Sequence, residues 1–462
     1  MPDMAASMED IKSINLVSLG CDKNLCDSER MLGQLISEGY VYESEMDKAD
    51  AVIINTCCFI GDAKEESIGV ILEACELKKE GLIKKLIITG CMAQRYASDI
   101  TDELSEVDAV VGTNSIQDIV AVMDETRRGE RPVSMRPLSE IHFGELQHMP
   151  RFVTGMGGYA YLKIAEGCNK RCSYCIIPYL RGPQRSVPME YLVEEAGRLA
   201  ADGARELILV AQETSVYGTD LYGQKMLPEL LRRLSEVEGI SWIRILYCYP
   251  EEVTDELIEA IATLPKVCHY LDIPIQHASD HMLRRMHRAT TRAEITERIQ
   301  SIRKRIPDIV LRTTMISGFP GETDGDHQIL CEFVREMEFD RLGDFTYSRE
   351  EGTEAAAFSH QIAKKTKEAR RDEIMLIQQD CAFRKAASHI GRELEVLISG
   401  RLMNETGESA DGNVYVGRTY MDAPDVDGYI YVHTGDRELM TGDMVMARVT
   451  GAHDYDLIGE LI

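Results

Sequence analysis

Ala165-Glu166-Gly167-Cys168-Asn169-Lys170-Arg171-Cys172-Ser173-Tyr174-Cys175 follows directly on an apolar run at 159–164. The run reads as a buried β-strand, so the three cysteines fall in the loop at its carboxyl end. Thiolates are the natural ligands of iron–sulfur clusters. A cubane cluster has four irons, and a loop with three thiolates leaves one iron open to a small molecule. The competing reading is zinc. Zinc sites usually pair a C-x2-C with a second cysteine or histidine pair nearby, and none lies close here.

Five further strand-like runs follow, at 206–212, 242–249, 270–275, 310–317 and 342–347. Amphipathic stretches separate them at 189–201, 227–237, 254–264, 282–306 and 326–337, with Leu192, Ala196 and Leu199 on one face of the first. Repeated βα units predict a barrel with its chemistry at the carboxyl ends of the strands. Six units rather than eight make it a partial (βα)6 barrel, open on one side to a substrate as large as a loop of another protein.

The C-x3-C-x2-C spacing resembles that of the radical S-adenosylmethionine (SAM) enzymes, in which the open iron chelates the amino and carboxylate groups of SAM. The resemblance implies SAM contacts from Tyr174, from Gln212 and Glu213 after the second strand, from Gln276 after the fourth, and from Gly318 and Glu322 after the fifth. Read from the residues alone, Tyr174 serves equally as a packing aromatic, and Gly318-Phe319-Pro320-Gly321 as a tight turn into a helix. His277 reads as a structural histidine before an acid or base. Arg181 and Arg185 either pair with a substrate carboxylate or are solvated.

Upstream, three Val- and Ile-rich runs each end in a cysteine: 14–20 leads to Cys21, 51–56 to Cys57, and 86–90 to Cys91. Helical patterns separate them, one with Met31, Leu32, Leu35 and Ile36 on its apolar face, the next with Ile68, Ile71, Leu72 and Cys75. This β-α-β-α-β order predicts an N-terminal open parallel α/β sheet. Ligands bind beyond the carboxyl strand ends of such sheets, so the three cysteines converge on one edge and can hold a second cluster. Cys58 competes with Cys57 for that role. Cys26, Cys58, Cys75, Cys248, Cys268, Cys331 and Cys381 read as structural thiols.

Leu19-Gly20-Cys21-Asp22-Lys23-Asn24, Asn55-Thr56-Cys57-Cys58-Phe59 and Gly90-Cys91-Met92-Ala93-Gln94-Arg95 resemble the N-terminal domain of the methylthiotransferases, and the resemblance covers nearly the whole chain. It implies two 4Fe-4S clusters, an auxiliary one on Cys21, Cys57 and Cys91 and a radical SAM one on Cys168, Cys172 and Cys175. SAM then serves both as methyl donor and as radical source, with an electron donor and a sulfur donor as further partners. Tyr347-Ser348-Arg349-Glu350-Glu351-Gly352-Thr353 resembles the protein-modifying branch of the family. That branch implies methylthiolation of the β-carbon of an aspartate in a basic protein of the small ribosomal subunit. An unactivated C–H bond of this kind needs cofactor-borne radical chemistry. The alternatives are a tRNA adenosine methylthiotransferase with the same chemistry, and a two-cluster electron carrier or scaffold with none.

Charge bears on that choice. The chain carries 51 Lys and Arg against 78 Asp and Glu, a formal net charge of −27. Phosphate backbones select clustered basic residues, so nucleic-acid binding is not expected. Alternating runs at 393–399, 414–419, 429–433, 444–449 and 457–461 predict a small antiparallel β-barrel, similar to the TRAM domain. Its fourteen acidic residues face five arginines and no lysine, a balance that repels RNA and attracts a cationic protein. The expected domains are 11–128, 151–388 and 389–462, joined by a charged connection at 127–150 and a charged helix at 364–388. Residues 1–12 lack the basic and apolar stretches of a secretory signal, and no 18-residue apolar run occurs, so a cytoplasmic protein is expected.

Overall fold

The computed structural model describes residues 10–140, 145, 147–155, 157–403 and 413–462. The extreme N-terminus, part of the 127–150 connection, and the acidic residues Glu405, Glu408 and Asp411 lie outside the described residues. The chain divides into two compact units. The first is built from Met1–Thr154, Glu166–Arg185 and Ser348–Ala356, and the second from Gly155–Ala165, Ser186–Tyr347 and Ala357–Ile462.

In the first unit a parallel sheet has β1 (Ser13–Ser18), β3 (Ala51–Thr56) and β4 (Lys85–Thr89) at its centre. Short strands β2 (Val41–Tyr42), β5 (Ala109–Val111) and β6 (Val133–Ser134) extend it, in the order β2-β1-β3-β4-β5-β6. The sequence reading recovers only the three central strands, because strands of two or three residues carry no hydrophobic period. Both faces are buried, as parallel sheets require. Ala51 and Ile53 pack with Met31, Leu32 and Leu35 of α1 (Asp22–Ser37). Val52 and Ile54 pack with Ile71, Ala74 and Cys75 of α2 (Gly61–Lys79) and with Met92 and Ala93 of α3 (Gly90–Glu103). On α2 the expected apolar face is displaced. Ile68 and Leu72 are exposed, and Ser67 turns inward with Ile71. Ser67 has a polar reason to do so, since its hydroxyl accepts from the Cys57 amide (3.0 Å) and donates to the Cys57 carbonyl (2.9 Å).

The second unit carries six parallel strands: β7 (Tyr159–Lys163), β8 (Glu206–Val210), β9 (Trp242–Ile245), β10 (Val267–Asp272), β11 (Val310–Ser317) and β12 (Arg341–Thr346). Each pairs with the next in chain order, and β7 and β12 are the edges, so the barrel is partial. The helical stretch expected at 282–306 is two helices, Asp280–Arg285 and Arg292–Arg305. His287 interrupts it with a φ of +57°, and a capping box of Thr291 and Glu294 starts the second. The C-terminal strands β13 (Glu393–Arg401), β14 (Val414–Arg418), β15 (Ile430–His433), β16 (Met444–His453) and β17 (Asp456–Leu461) close into a barrel. Four of its pairings are antiparallel and β15–β17 is parallel.

Buried arginines join the two barrels. Glu206, the first residue of β8, accepts from Arg244 (2.6 Å) and pairs with Arg418 of the small barrel (2.7 Å), all three almost wholly buried. Arg244 also donates to the Tyr420 carbonyl (2.7 Å), Arg341 to Asp422 (2.6 Å), and Tyr270 to Asp427 (2.7 Å). Asp422 and Asp427 are therefore spent inside the unit rather than on its surface, a use that a charge count does not register. Burial works against ionised Glu206, but the Arg244 and Arg418 guanidiniums outweigh it and hold the carboxyl below its usual range. Glu206→Gln leaves two buried guanidiniums without their counter-charge. It is expected to lower unfolding stability by about 3–5 kcal/mol, the usual cost of breaking a buried pair, read as a fall in the urea midpoint.

Candidate active site

The three cysteine-ending strands β1, β3 and β4 are direct neighbours in the sheet. Cys21 stands at the N-cap of α1, Cys57 follows β3, and Cys91 lies in the first turn of α3. Two of the thiols thus sit at helix N-termini, where exposed amides favour negative charge. Buried amides hold the loops together. Asn24 donates to the carbonyls of Leu19 (2.9 Å) and Thr56 (3.0 Å), and Asn55 donates to the Asn24 carbonyl (2.9 Å). Gly20 adopts φ +89°, and a Cβ there would fall 2.5 Å from the Cys57 Cβ and 2.7 Å from its sulfur. Only glycine permits so close a passage of the Cys21 loop across Cys57.

Burial pushes the Cys57 thiol up to about 12, and the neighbouring Cys91 and Cys21 add to the shift. Cys91 is likewise raised, chiefly by burial, with Arg181 opposing. Cys58 has no exposed surface and packs in the core among Val52, Ile71, Cys75 and Ile88. Its electrostatic neighbours are Cys91, Arg95 and Cys57, whereas Cys57 faces Cys21, Cys91 and Arg181. Cys57 thus neighbours both Cys21 and Cys91, whereas Cys58 neighbours Cys91 and turns toward Arg95. A set of buried thiols that repel one another as thiolates is stabilised by a bound cation or cluster, with release of their protons.

The second cysteine set lies in the same unit. Cys168 and Cys172 are buried and Cys175 is partly so. Burial, then the charges of Cys172 and Cys168, raise Cys175 well above the ordinary thiol range. The Ser173 carbonyl accepts from the Ala355 amide (2.8 Å), which ties this loop to the 348–356 segment. That segment is fixed in turn by Glu350, buried and paired with Lys64 and Arg95.

Arg181 is the residue whose role differs most from expectation. It is neither solvated nor available to a substrate. It is 2 % exposed and pairs with Asp27 (2.8 Å) and Glu166 (3.1 Å), and it donates to the Asn24 side chain. Burial opposes its charge, but Glu166, Cys91, Asp27 and Cys21 together hold its proton. Arg185 is also buried and donates to the Arg181 carbonyl (2.9 Å). One arginine thus docks the loop of the second cysteine set onto the helix that carries Cys21, and brings positive charge beside Cys21 and Cys91. Its distance in sequence from its partners hid this role.

Of the residues expected to contact SAM, Tyr174 lies between Cys172 and Cys175 in the first unit. Gln212, Glu213, Gln276, Gly318 and Glu322 follow the barrel strands of the second. Glu213 accepts from the amides of Ser215 (3.0 Å) and Tyr249 (3.4 Å). Gln276 holds φ +74° between backbone bonds to Thr314 and Ile316, a conformation uncommon outside glycine. Glu322 accepts from the amides of Gly318 and Phe319 and so closes its own turn. Gly318 lets that turn pass Lys367, whose Cγ lies 2.3 Å from where a Cβ would stand. His277 is fully buried, accepts from the amides of Ala278 (2.9 Å) and Ser279 (3.0 Å), and is lowered by burial to about 3, so it is a neutral structural acceptor.

Asp344 on β12 gives a pH signature. Burial raises its carboxyl to about 7, Ser317 opposes with a 2.6 Å hydrogen bond, and the Glu322 charge adds to the rise. The folded state holds a proton that the unfolded chain releases near about pH 4. This stabilising contribution is full below that pH and is lost as pH rises through about 7. Asp344→Asn is expected to flatten the fall in urea midpoint between pH 5 and pH 8.

The partial barrel and its three-cysteine loop define a radical SAM enzyme. The sequence model of the Radical SAM superfamily matches residues 162–334, that of the TRAM domain residues 390–462, and that of uncharacterized protein family UPF0004 residues 13–112. The ribosomal protein uS12 methylthiotransferase RimO of Lachnoclostridium phytofermentans is 56% identical over 96% of this chain and 99% of its own. Its namesake in Acetivibrio thermocellus is 48% identical over 98% of each. The chain belongs to this methylthiotransferase family. Among solved structures, the radical SAM methyltransferase TsrM of Kitasatospora setae aligns with a TM-score of 0.52 over 72% of each chain at 14% identity, a likeness of fold. Among the described residues, no helix is long and apolar enough to cross a membrane.

Proposed function

We propose that the protein transfers a methylthio group to the β-carbon of an aspartate in small-subunit ribosomal protein uS12. The observation that carries the chemistry is the pair of three-cysteine sets in one compact unit, linked through Arg181. Each set leaves one iron of a 4Fe-4S cluster open. Cys21, Cys57 and Cys91 hold the auxiliary cluster, and Cys168, Cys172 and Cys175 the cluster that binds SAM. When bound, these groups supply the methylthio sulfur and the hydrogen-abstracting radical. The chain's own residues hold and orient them. Gly20 opens room for Cys57, Arg181 balances thiolate charge, and Glu322 shapes the turn after β11. Tyr174, Gln212, Glu213, Gln276, Gly318 and Glu322 are assigned to SAM. Near-full-length similarity to relatives named for uS12 supports the substrate. So does the acidic small barrel, since a ribosomal protein is cationic. An electron donor and a sulfur donor complete the reaction, in the cytoplasm.

The test offers the anaerobically reconstituted enzyme SAM, sulfide, reductant, a uS12 loop peptide and a tRNA anticodon stem-loop together. The peptide is expected to gain about 46 Da, one S–CH3 replacing one hydrogen. The same gain on the RNA instead would overturn the substrate and keep the chemistry. Absence of 5′-deoxyadenosine would leave an electron carrier. The cysteine assignment has its own check. Cys57→Ala is expected to cut iron from about eight to about four per chain, with Cys58→Ala at the wild-type level. The reverse result would move the ligand to Cys58.

A further inference from the structure

We propose that the protein carries a binding site for a zinc-type divalent cation formed by His327, Cys331 and Glu373, outside both cysteine sets. The helix Asp324–Met337 places His327 and Cys331 one turn apart on a single face, and the long helix Lys364–Ser388 supplies Glu373 across from them. Their ligand atoms all lie within 4.8 Å of one another. His327 Nε2 is 2.9 Å from a Glu373 carboxylate oxygen and 3.5 Å from the Cys331 sulfur. Tetrahedral zinc, with bonds of about 2.0–2.3 Å, sets neighbouring ligand atoms about 3.4–3.6 Å apart. The Cys331–His327 distance already matches, the His327–Glu373 distance must open by about half an ångström, and Glu373 and Cys331 lie within 4.8 Å of each other.

Three further features fit a metal better than a packing cluster. Cys331 has no exposed surface and His327 only 8 %. Two zinc-type ligand atoms thus face each other away from bulk water. His327 Nδ1 has no hydrogen-bond partner among the described residues, and the nearest carboxylate is the buried Glu322 at 3.8 Å. Metal-bound histidines characteristically turn their second nitrogen to such a carboxylate. Glu373 also lines a cavity of about 420 Å³ between the two helices, with Val334, Arg335, Glu338, Leu376 and Ile377. That opening leaves the Glu373 carboxylate in reach of solvent, from which a cation and a fourth, water ligand would come. A thiolate, an imidazole and one carboxylate select zinc over the hard cations magnesium and calcium. Binding releases the Cys331 thiol proton and clips the helix after β11 to the helix that leads into the small barrel.

The experiment uses full-length protein with both clusters reconstituted anaerobically and excess iron removed, titrated with zinc alone. Zinc and iron are counted separately, and the zinc environment is read by X-ray absorption at the zinc edge. About one zinc per chain is expected, with a single sulfur and otherwise nitrogen or oxygen neighbours. Cys331→Ala is expected to abolish this zinc with iron content unchanged. Glu373→Gln, at a half-exposed side chain where folding is not at stake, is expected to weaken zinc by at least about tenfold, as loss of an anionic ligand does. Zinc uptake equal in wild type and both variants would overturn the proposal. So would two or more sulfurs per zinc, which places the ion on cluster cysteines.

Discussion

Arg181→Ala is expected to cost about 3–5 kcal/mol of stability in the first unit and to strip iron from the protein. Asp27 is as deeply buried as Arg181, and Glu166 is only slightly exposed. Without the guanidinium both carboxylates face a low dielectric with no counter-charge, which is the costly way to break a buried ion pair. The loop bearing Cys168, Cys172 and Cys175 loses its anchor to the Asn24–Asp27 turn, and Cys21 and Cys91 lose the cation beside them. Arg181→Lys keeps the charge but not the forked geometry that reaches Asp27, Glu166 and Asn24 together, so it should fall between. A urea midpoint and an iron content both at wild-type values in Arg181→Ala would remove the residue from this role.

Gly20→Ala is expected to separate the two half-reactions. The alanine methyl would lie 2.5 Å from the Cys57 Cβ, at a backbone φ of +89° that alanine rarely adopts. Relief requires the Cys21 loop or Cys57 to move by more than a van der Waals contact allows, which takes the auxiliary set out of register. Iron should fall by about half, to the four irons of one cluster. Methylthiolated product should vanish, while 5′-deoxyadenosine still forms from SAM, because the 168–175 loop is untouched. Full methylthiolation by Gly20→Ala would show that the auxiliary set tolerates the displacement.

How much of this was legible in the sequence depends on range. The runs ending at Cys21, Cys57 and Cys91 announced buried parallel strands, and their even spacing placed the three thiols at one sheet edge, where they stand adjacent. The C-x3-C-x2-C loop and the six barrel strands were equally plain, because each signal lies within one short window. Ile68 and Leu72 were misplaced because an apolar pattern does not register the hydrogen bonds to the Cys57 backbone that hold Ser67 inward and rotate the face. The fates of Arg181, Asp422 and Asp427 depend on partners 80 or more residues away. Glu373 lies 46 residues from His327, and only the packing of two helices brings them into one cluster.

The first unit draws on three separated stretches of chain, the last ending at Ala356. During synthesis Cys91 emerges well before Arg181, and both long before Glu350, which braces the segment behind the second cysteine loop. At about 5–20 residues per second, roughly 10–50 s pass between Cys91 and Ala356. Until Arg181 is made the early thiols lack the cation beside them, and until Ala356 the second cysteine loop lacks its strap. Cluster insertion that lasts must therefore follow translation, and a nascent chain halted before Ala356 should hold iron poorly even with all six cysteines already made.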